Sequence, residues 1–260
     1  MITSTDNKQV KNIVQLNTKA KARKSQGVFV VEGVKMFLEA PKDRVEQVYV
    51  SESFIQDEKH QEMLEGYCYE VVSNPVFLKM CDTLTPQGIL TVVRFLEYTL
   101  DDIMHKKDKP HIMILESIQD PGNLGTIIRT GEGAGISGVV VNKETVDLYN
   151  PKTIRGTMGS IYRIPVVVAQ DLVSVVKELQ KRGVEVFAAH LKGTKQLYDM
   201  DFTKGCAFLI GNEGNGLTDE LSDVADTYLR IPMEGSVESL NAGVAASLLM
   251  YETLRQRGRE

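Results

Sequence analysis

The stretch HIMILESIQDPGNLGTIIRTGEGAG, residues 111–135, decides how this chain folds. HIMIL is an unbroken apolar run of strand length, the pattern of a strand buried on both faces. Pro121-Gly122 then supplies a turn, and Asn123 is placed to cap a helix running through Arg129. Outward from this strand–turn–helix unit, the same alternation repeats toward the C-terminus. GVVV (138–141) is the next strand, and YNPKTIRGTMGS (149–160) gives a turn and a short helix. IYRIPVVV (161–168) follows, then a helix with Leu172, Val175, Val176 and Leu179 on one face. VEVFAAH, CAFLIG and TYLRIP read as further strands, and residues 240–255 as a closing helix. Apolar strands alternating with helices predict an α/β domain, a parallel sheet covered on both faces.

The N-terminal part has its own alternation. A basic helix precedes the strand GVFVVEG (27–33), and a helical stretch over 34–40 leads to the strand VEQVYV (45–50). Ser51 is positioned to cap a helix reaching about residue 65. The strand YEVVS, a helix near 76–80 and the strand GILTVVRF (88–95) complete a small α/β unit. The mixed, lysine-ended stretch after it reads as a linker. The expected division is therefore 1–97, a linker over 98–110, and 111–260.

Bulk properties set outer bounds. The 260 residues are 42% apolar and 25% charged, ordinary values for a globular chain. No basic-then-apolar leader opens the sequence, and no apolar run approaches membrane-spanning length. Cys68, Cys81 and Cys206 form no metal-binding spacing, which points to reduced structural thiols in a cytoplasmic protein. A net charge of −5 argues against nucleic-acid binding, but its distribution argues the other way. Lys8, Lys11, Lys19, Lys21, Arg23 and Lys24 fall together with no acid among them. Val10, Ile13, Val14 and Asn17 share one helical face while Lys8, Lys11 and Lys19 fall largely elsewhere, which predicts an amphipathic helix with a basic outer side. That side is either a phosphate-binding surface or a solvated helix face.

Three strand ends carry the chemistry: residues 119–135, LIGNEGNGL (209–217) and IPMEGSVESLNAG (231–243). Ligands in open α/β sheets bind at the carboxyl ends of strands, so three such polar loops describe one composite site. Gly131, Gly133 and Gly135 follow a helix instead of opening one. Gly211, Gly214 and Gly216 run G-x-x-G-x-G, the wrong order for a dinucleotide fingerprint, although Glu234 lies near the position of a ribose-binding acid. No Walker lysine follows any glycine loop.

In order and spacing these segments resemble the three motifs of the SpoU/TrmH family of RNA 2′-O-ribose methyltransferases, within the SPOUT superfamily. The resemblance runs from about residue 111 to 255, and VFVVEG after a basic helix is similar to the RNA-binding domain attached to many of these enzymes. It implies a C-terminal sheet domain tied in a trefoil knot and a small N-terminal α/β domain that binds RNA. It also implies S-adenosylmethionine as cofactor, no metal, a homodimer packed through the knotted domain, and structured RNA, ribosomal above transfer RNA, as substrate.

Residue by residue, the resemblance assigns the cofactor to Gly211, Ile231 and Leu240, with Met233 as a further aliphatic wall. Its catalytic set falls on Asn123, Arg129, Glu213, Ser239 and Asn241. Relatives are often described with the arginine as base; a guanidinium that stays protonated is better suited to clamping phosphate. Each residue also has a plain structural reading. Arg129 can pair with Glu132 or Glu213, Glu213 can hold an amide, and Asn123, Ser239 and Asn241 can cap helices. RNA contacts are expected at Lys8, Lys11, Lys21 and Arg23. Gly131 stands where relatives commonly have alanine, and Ala242-Gly243 replace a branched residue and serine. A non-catalytic RNA-binding or resistance protein and a nicotinamide-dependent oxidoreductase are the alternatives.

Overall fold

In a computed structural model that describes residues 1–258, the chain forms two compact units. The first comprises residues 1–96 with 149–162, and the second 97–148 with the remainder.

The first unit opens with α1 (Lys8–Thr18) and α2 (Ala20–Gln26), followed by β1 (Val28–Glu32) and α3 (Val34–Glu39). Then come β2 (Val45–Ser51), α4 (Glu58–Met63), β3 (Tyr69–Val72), α5 (Asn74–Met80) and β4 (Ile89–Arg94). The sheet order is β1-β4-β2-β3, antiparallel except for the parallel β2–β3 pair. Alternate residues point to opposite faces. Tyr49, Leu90 and Val92 pack under Val10, Ile13 and Leu16 of α1 and Phe77 of α5. Val48, Val50 and Ile89 pack against Phe37 of α3 and Leu64.

The basic segment is two helices and not one. The chain is extended at Lys19, whose amide still bonds the Gln15 carbonyl. Arg23, expected among the RNA contacts, is instead buried, being only 3% exposed. Its guanidinium reaches back to the carbonyls of Leu16 and Asn17 at the end of α1. Those carbonyls lack intrahelical partners, so a buried arginine satisfies them and cannot also meet RNA phosphate.

The second unit contains α6 (Leu100–Met104), β5 (His111–Leu115), α7 (Pro121–Gly133) and β6 (Gly138–Asn142). α8 (Pro151–Thr157) belongs to the first unit, after which the second resumes with β7 (Val166–Ala169), α9 (Leu172–Lys181) and β8 (Glu185–Ala189). β9 (Lys195–Gln196), β10 (Cys206–Ile210), α10 (Asp219–Ser222), β11 (Thr227–Arg230) and α11 (Ala242–Arg257) complete it. The seven described strands are all parallel, in the order β7-β6-β5-β10-β8-β11-β9. β5 and β10 are central and buried along their whole length, which explains their unbroken apolar runs. Leu172, Val176 and Leu179 of α9 cover Ile112, Ile114, Ala207 and Leu209.

Two differences from the sequence reading have physical causes. The stretch 98–110, expected as a linker, holds α6, closed by a capping box between Thr99 and Asp102. Ile103 on that helix is fully buried in the second unit's core. Residues 149–162, expected within the C-terminal domain, join the first unit. Tyr149 stacks on Phe29 and Phe95 at 4.5 and 4.1 Å, and its hydroxyl bonds the main chain of Leu96. The Tyr162 hydroxyl donates to the Met36 carbonyl.

Candidate functional site

The loops after β5, β10 and β11 meet at the carboxyl edge of the parallel sheet. After β5, Ser117 takes a left-handed φ of 56° that turns the chain sharply. For a residue with a side chain such a conformation costs about 1–3 kcal/mol, and here neighbouring groups fix it. Its amide donates to Asn142 Oδ1 at 2.8 Å, and Asn142 Nδ2 donates back to its hydroxyl. Its carbonyl accepts from Asn212 at 2.8 Å and Gln119 at 3.0 Å. Thus the strand-end polar groups of β5, β6 and β10 already bind one another.

The loop after β10 folds back on itself. Asn212 and Gly216 exchange main-chain hydrogen bonds of 3.0 and 2.9 Å, and Asn212 Oδ1 accepts from the Gly214 and Asn215 amides. A Cβ at Gly211 would lie 2.1 Å from the Gly216 carbonyl carbon. Glycine is therefore required there by the loop's own backbone, before any ligand is considered. Glu116 fastens the far end of the loop, accepting from the Thr218 amide and hydroxyl at 2.8 and 2.7 Å.

Glu213, at the tip, ties all three loops together. Its carboxylate accepts from the Gln119 amide (3.0 Å), the Asp120 amide (3.1 Å) and Asn123 Nδ2 (2.9 Å). Asn241 Nδ2 donates to Asn123 Oδ1 at 2.9 Å. Asn241 Oδ1 in turn caps α11 through the Gly243 and Val244 amides. A carboxylate only accepts, so each amide in this chain has one orientation available. Burial is the largest influence on the Glu213 carboxyl and raises its pKa. The bonds from Asn123, Gln119 and Asp120 together outweigh it, and the net shift is downward. An acid held ionised in this way is a weaker proton acceptor than a free glutamate.

Asn123 is 7% exposed and sits inside α7, whose N-cap is Asp120, with its side chain bonded to the Gly122 amide. The expected cap is thus three residues too late, because Pro121 begins the helix instead of preceding it. Arg129, six residues on, is exposed on an adjoining face of α7. The two acids considered for it are otherwise engaged: Glu132 pairs with Arg163, and Glu213 holds the loops. Among the described residues, no hydrogen bond or ion pair engages Arg129.

A cleft of about 950 Å³ opens beside this network. Gly211, Glu213, Ile231, Met233, Ser239, Leu240 and Asn241 line it, whereas Asn123 and Arg129 do not. The main chain over 231–240 belongs to no helix or strand, so amides and carbonyls stand beside the aliphatic walls. Apolar faces with exposed main-chain groups suit an adenosine, and the volume is that of a small-molecule pocket. His190 and Lys192, in the loop after β8 that carries no motif, and Arg230, the last residue of β11, also border the cleft. Gln119, Ser117 and Glu116 escape a reading of the sequence, since bonds across about a hundred residues leave no local pattern.

On the second face of the site, α7 packs on α11. Gly131 lies under Ile136 and near Met250: a Cβ there would meet Ile136 Cδ1 at 2.4 Å, which accounts for glycine in place of alanine. Gly133 faces the Tyr251 hydroxyl. α11 is apolar on both sides. Ala246, Leu249 and Met250 are buried, while Val244, Tyr251 and Leu254 remain 48%, 51% and 40% exposed.

Comparison with known proteins fits this geometry. The profile of the SpoU rRNA Methylase family matches residues 110–251. The chain belongs to that family. Residues 7–91 match the profile of the MRM3-like substrate binding domain. The chain is 34% identical over 252 residues to the 23S rRNA (guanosine(2553)-2′-O)-methyltransferase RlmP of Bacillus subtilis, covering 96% of this chain and 97% of that one. Among solved structures it resembles the AdoMet-bound rRNA methyltransferase from Sinorhizobium meliloti, with a TM-score of 0.85, 31% identity and 98% and 97% of the two chains covered. It is also similar to the SpoU methyltransferase AviRb from Streptomyces viridochromogenes, with a TM-score of 0.86, 26% identity and 97% and 98% covered. This SpoU-family chain is an RNA 2′-O-methyltransferase that uses S-adenosylmethionine. Its α/β architecture is that of the SPOUT fold. No helix among the described residues is long and apolar enough to cross a membrane, and no described cluster of His, Cys, Asp or Glu could hold a metal ion.

Proposed function

We propose that this protein methylates a ribose 2′-hydroxyl in ribosomal RNA, in the cytoplasm and as a homodimer. The likeness to RlmP across both chains, substrate-binding domain included, carries the choice of ribosomal RNA.

S-adenosylmethionine, when bound, supplies an already activated methyl group, so the protein's task is alignment and proton removal. Gly211, Ile231, Met233 and Leu240 hold the cofactor in the cleft. Alignment alone contributes roughly 7–11 kcal/mol in well-oriented reactions. Asn123, Glu213 and Asn241 act chiefly by holding the three loops in register, and Ser239 offers a hydroxyl at the cleft wall. Arg129 clamps the phosphate beside the reacting ribose, a role supported by its exposure and lack of protein partners. Because Arg129 does not line the cleft of its own chain, the arrangement favours a dimer in which it serves the partner's cleft. The exposed apolar face of α11 is suited to that contact.

The knot belongs to the same reading. β10 lies between β5 and β8, strands laid down earlier in the chain, which is consistent with late segments threading through an earlier loop. Lys8, Lys11 and Lys21 remain exposed on α1 and α2 as phosphate contacts, although Lys11 also pairs with Asp6 at 2.7 Å.

Incubation with methyl-labelled S-adenosylmethionine and ribosomal RNA tests the proposal. Label is expected in ribose, recovered as an alkali-resistant dinucleotide. Label in transfer RNA alone, or in no RNA, would reject it.

A further inference from the structure

The first unit holds a second cavity, of about 410 Å³, which the methyl-transfer chemistry does not use. It opens between the end of β2, the start of α5 and the loop 81–88. That loop is fixed at both ends. Glu32 accepts from the Asp82 amide at 2.6 Å and from the Thr83 hydroxyl at 2.6 Å, and Asp82 pairs with Arg155. Gln87 Oε1 accepts from the Val34 amide at 2.9 Å. Between these anchors Leu84 stands 97% exposed at the cavity rim, an apolar side chain presented to solvent by a tethered loop.

The lining has a definite polarity. Phe54 and His60 stack face to face, with ring centroids 3.9 Å apart and 2° between their planes, which fixes the orientation of the imidazole. His60 Nδ1 faces the Phe54 carbonyl at 2.9 Å and must donate to it, which leaves Nε2 of the neutral ring as an acceptor. Asn74 Oδ1 accepts from the Ser53 amide and hydroxyl, so its amino group is a donor without a partner among the described residues. Gln87 is oriented by Val34 in the same way, leaving its amino group as a second donor. The cavity therefore offers an apolar rim, two donors and one acceptor at the edge of an oriented ring. A neutral base with two carbonyl oxygens and one imino N–H satisfies all three polar groups. Uracil has that set; cytosine and adenine would set an amino donor against a donor.

We infer that this cavity receives one unpaired uracil base of the RNA, away from the reacting ribose. The inference rests on RNA being the substrate. Sequence-specific RNA recognition works mainly through such splayed bases, read by hydrogen bonds along their edges.

The test uses the full chain and fluorescein-labelled single-stranded U6 and C6 in anisotropy titrations. Wild type is expected to favour U6 by about 10-fold. Asn74→Asp and Gln87→Glu keep the acceptor that orders each loop and remove only the donor. Added negative charge weakens both oligomers alike, so the U6-to-C6 ratio is the readout, and it should fall toward unity or invert. Leu84→Ser, at a site with no packing role, should weaken U6 several-fold without changing S-adenosylmethionine affinity. Equal binding of U6 and C6 by wild type, no measurable binding of either, or a ratio untouched by the donor variants would overturn the pocket. Should wild type show no such discrimination yet methylate ribosomal RNA, the pocket alone fails. Absence of methyl transfer would remove the RNA reading and the pocket with it.

Discussion

The two edges of the parallel sheet use polar groups in opposite ways. At the carboxyl edge, Glu213, Asn123 and Asn241 bond side chain to side chain across loops that are about a hundred residues apart. At the amino edge, Arg257 bonds mainly to carbonyls, those of Phe202 (2.9 Å), Lys109 (2.8 Å) and Pro110 (3.3 Å). There His111 is 1% exposed, and its Nε2 has no hydrogen-bond partner among the described residues. The first edge is organised and left open, with a cleft beside it and a free arginine near it. The second is closed. One sheet thus separates chemistry from closure, and polar residues at its two edges should respond to mutation differently.

The largest effect should come from Arg129→Ala. Transfer is expected to fall by at least about 100-fold while S-adenosylmethionine affinity changes only a few-fold. Single-turnover assays and isothermal titration measure the two quantities, and normal turnover would remove Arg129 from the reaction. Glu213→Gln sharpens the comparison, because it places an amino group where three donors converge. A loss of about 1–3 kcal/mol in urea unfolding is expected, together with reduced transfer. The Glu213 pKa is lowered in the fold, so this carboxylate stabilises above its unfolded value near 4.3 and loses that contribution as pH falls through the folded value. The deficit of the variant should therefore shrink in acid. Abolished transfer at unchanged stability would instead make Glu213 a chemical participant.

His111 probes the closed edge. Burial first, then the charges of Arg257 and Lys107, push its pKa down to about 3. The imidazole is neutral in the fold and protonates on unfolding. Its contribution is intact above about pH 6.5 and is lost as pH falls from there toward 3. Replacing His111 with Leu should reduce the stability difference between pH 7 and pH 5 by about 2 kcal/mol, with methyl transfer at pH 8 little changed. An unaltered pH slope would show that other groups govern acid sensitivity. The smallest effect lies outside the sheet. Neutralising Lys8, Lys11 and Lys21 should flatten the salt dependence of RNA binding by up to about three units of log–log slope. Arg23→Ala should act on stability instead, because Arg23 caps α1.

Much of this is legible in the amino-acid sequence. Strand ends at 116–119, 211 and 231 announce themselves by the change from apolar runs to glycine, asparagine and acid. The residues that meet there were identifiable, and so was their shared location. Their division of labour was not. Asn123 reads as a cap because asparagine often is one, yet it lies within α7 and bridges Glu213 to Asn241. Arg23 reads as one cation among six, yet it is buried, since only the turn between α1 and α2 aims it at the Leu16 carbonyl.

The sequence by itself determined the alternation of strands and helices, the two sheets, the family and the identity of the loop residues. Each is encoded locally, in apolar period, turn chemistry and motif spacing. The tertiary structure decided that residues 149–162 join the first unit, that Arg129 stands free, and that Glu213 is a hub of accepted hydrogen bonds. These depend on which distant atoms come within about 3 Å, and hydrogen bonds are too short-ranged for spacing along a chain to specify them.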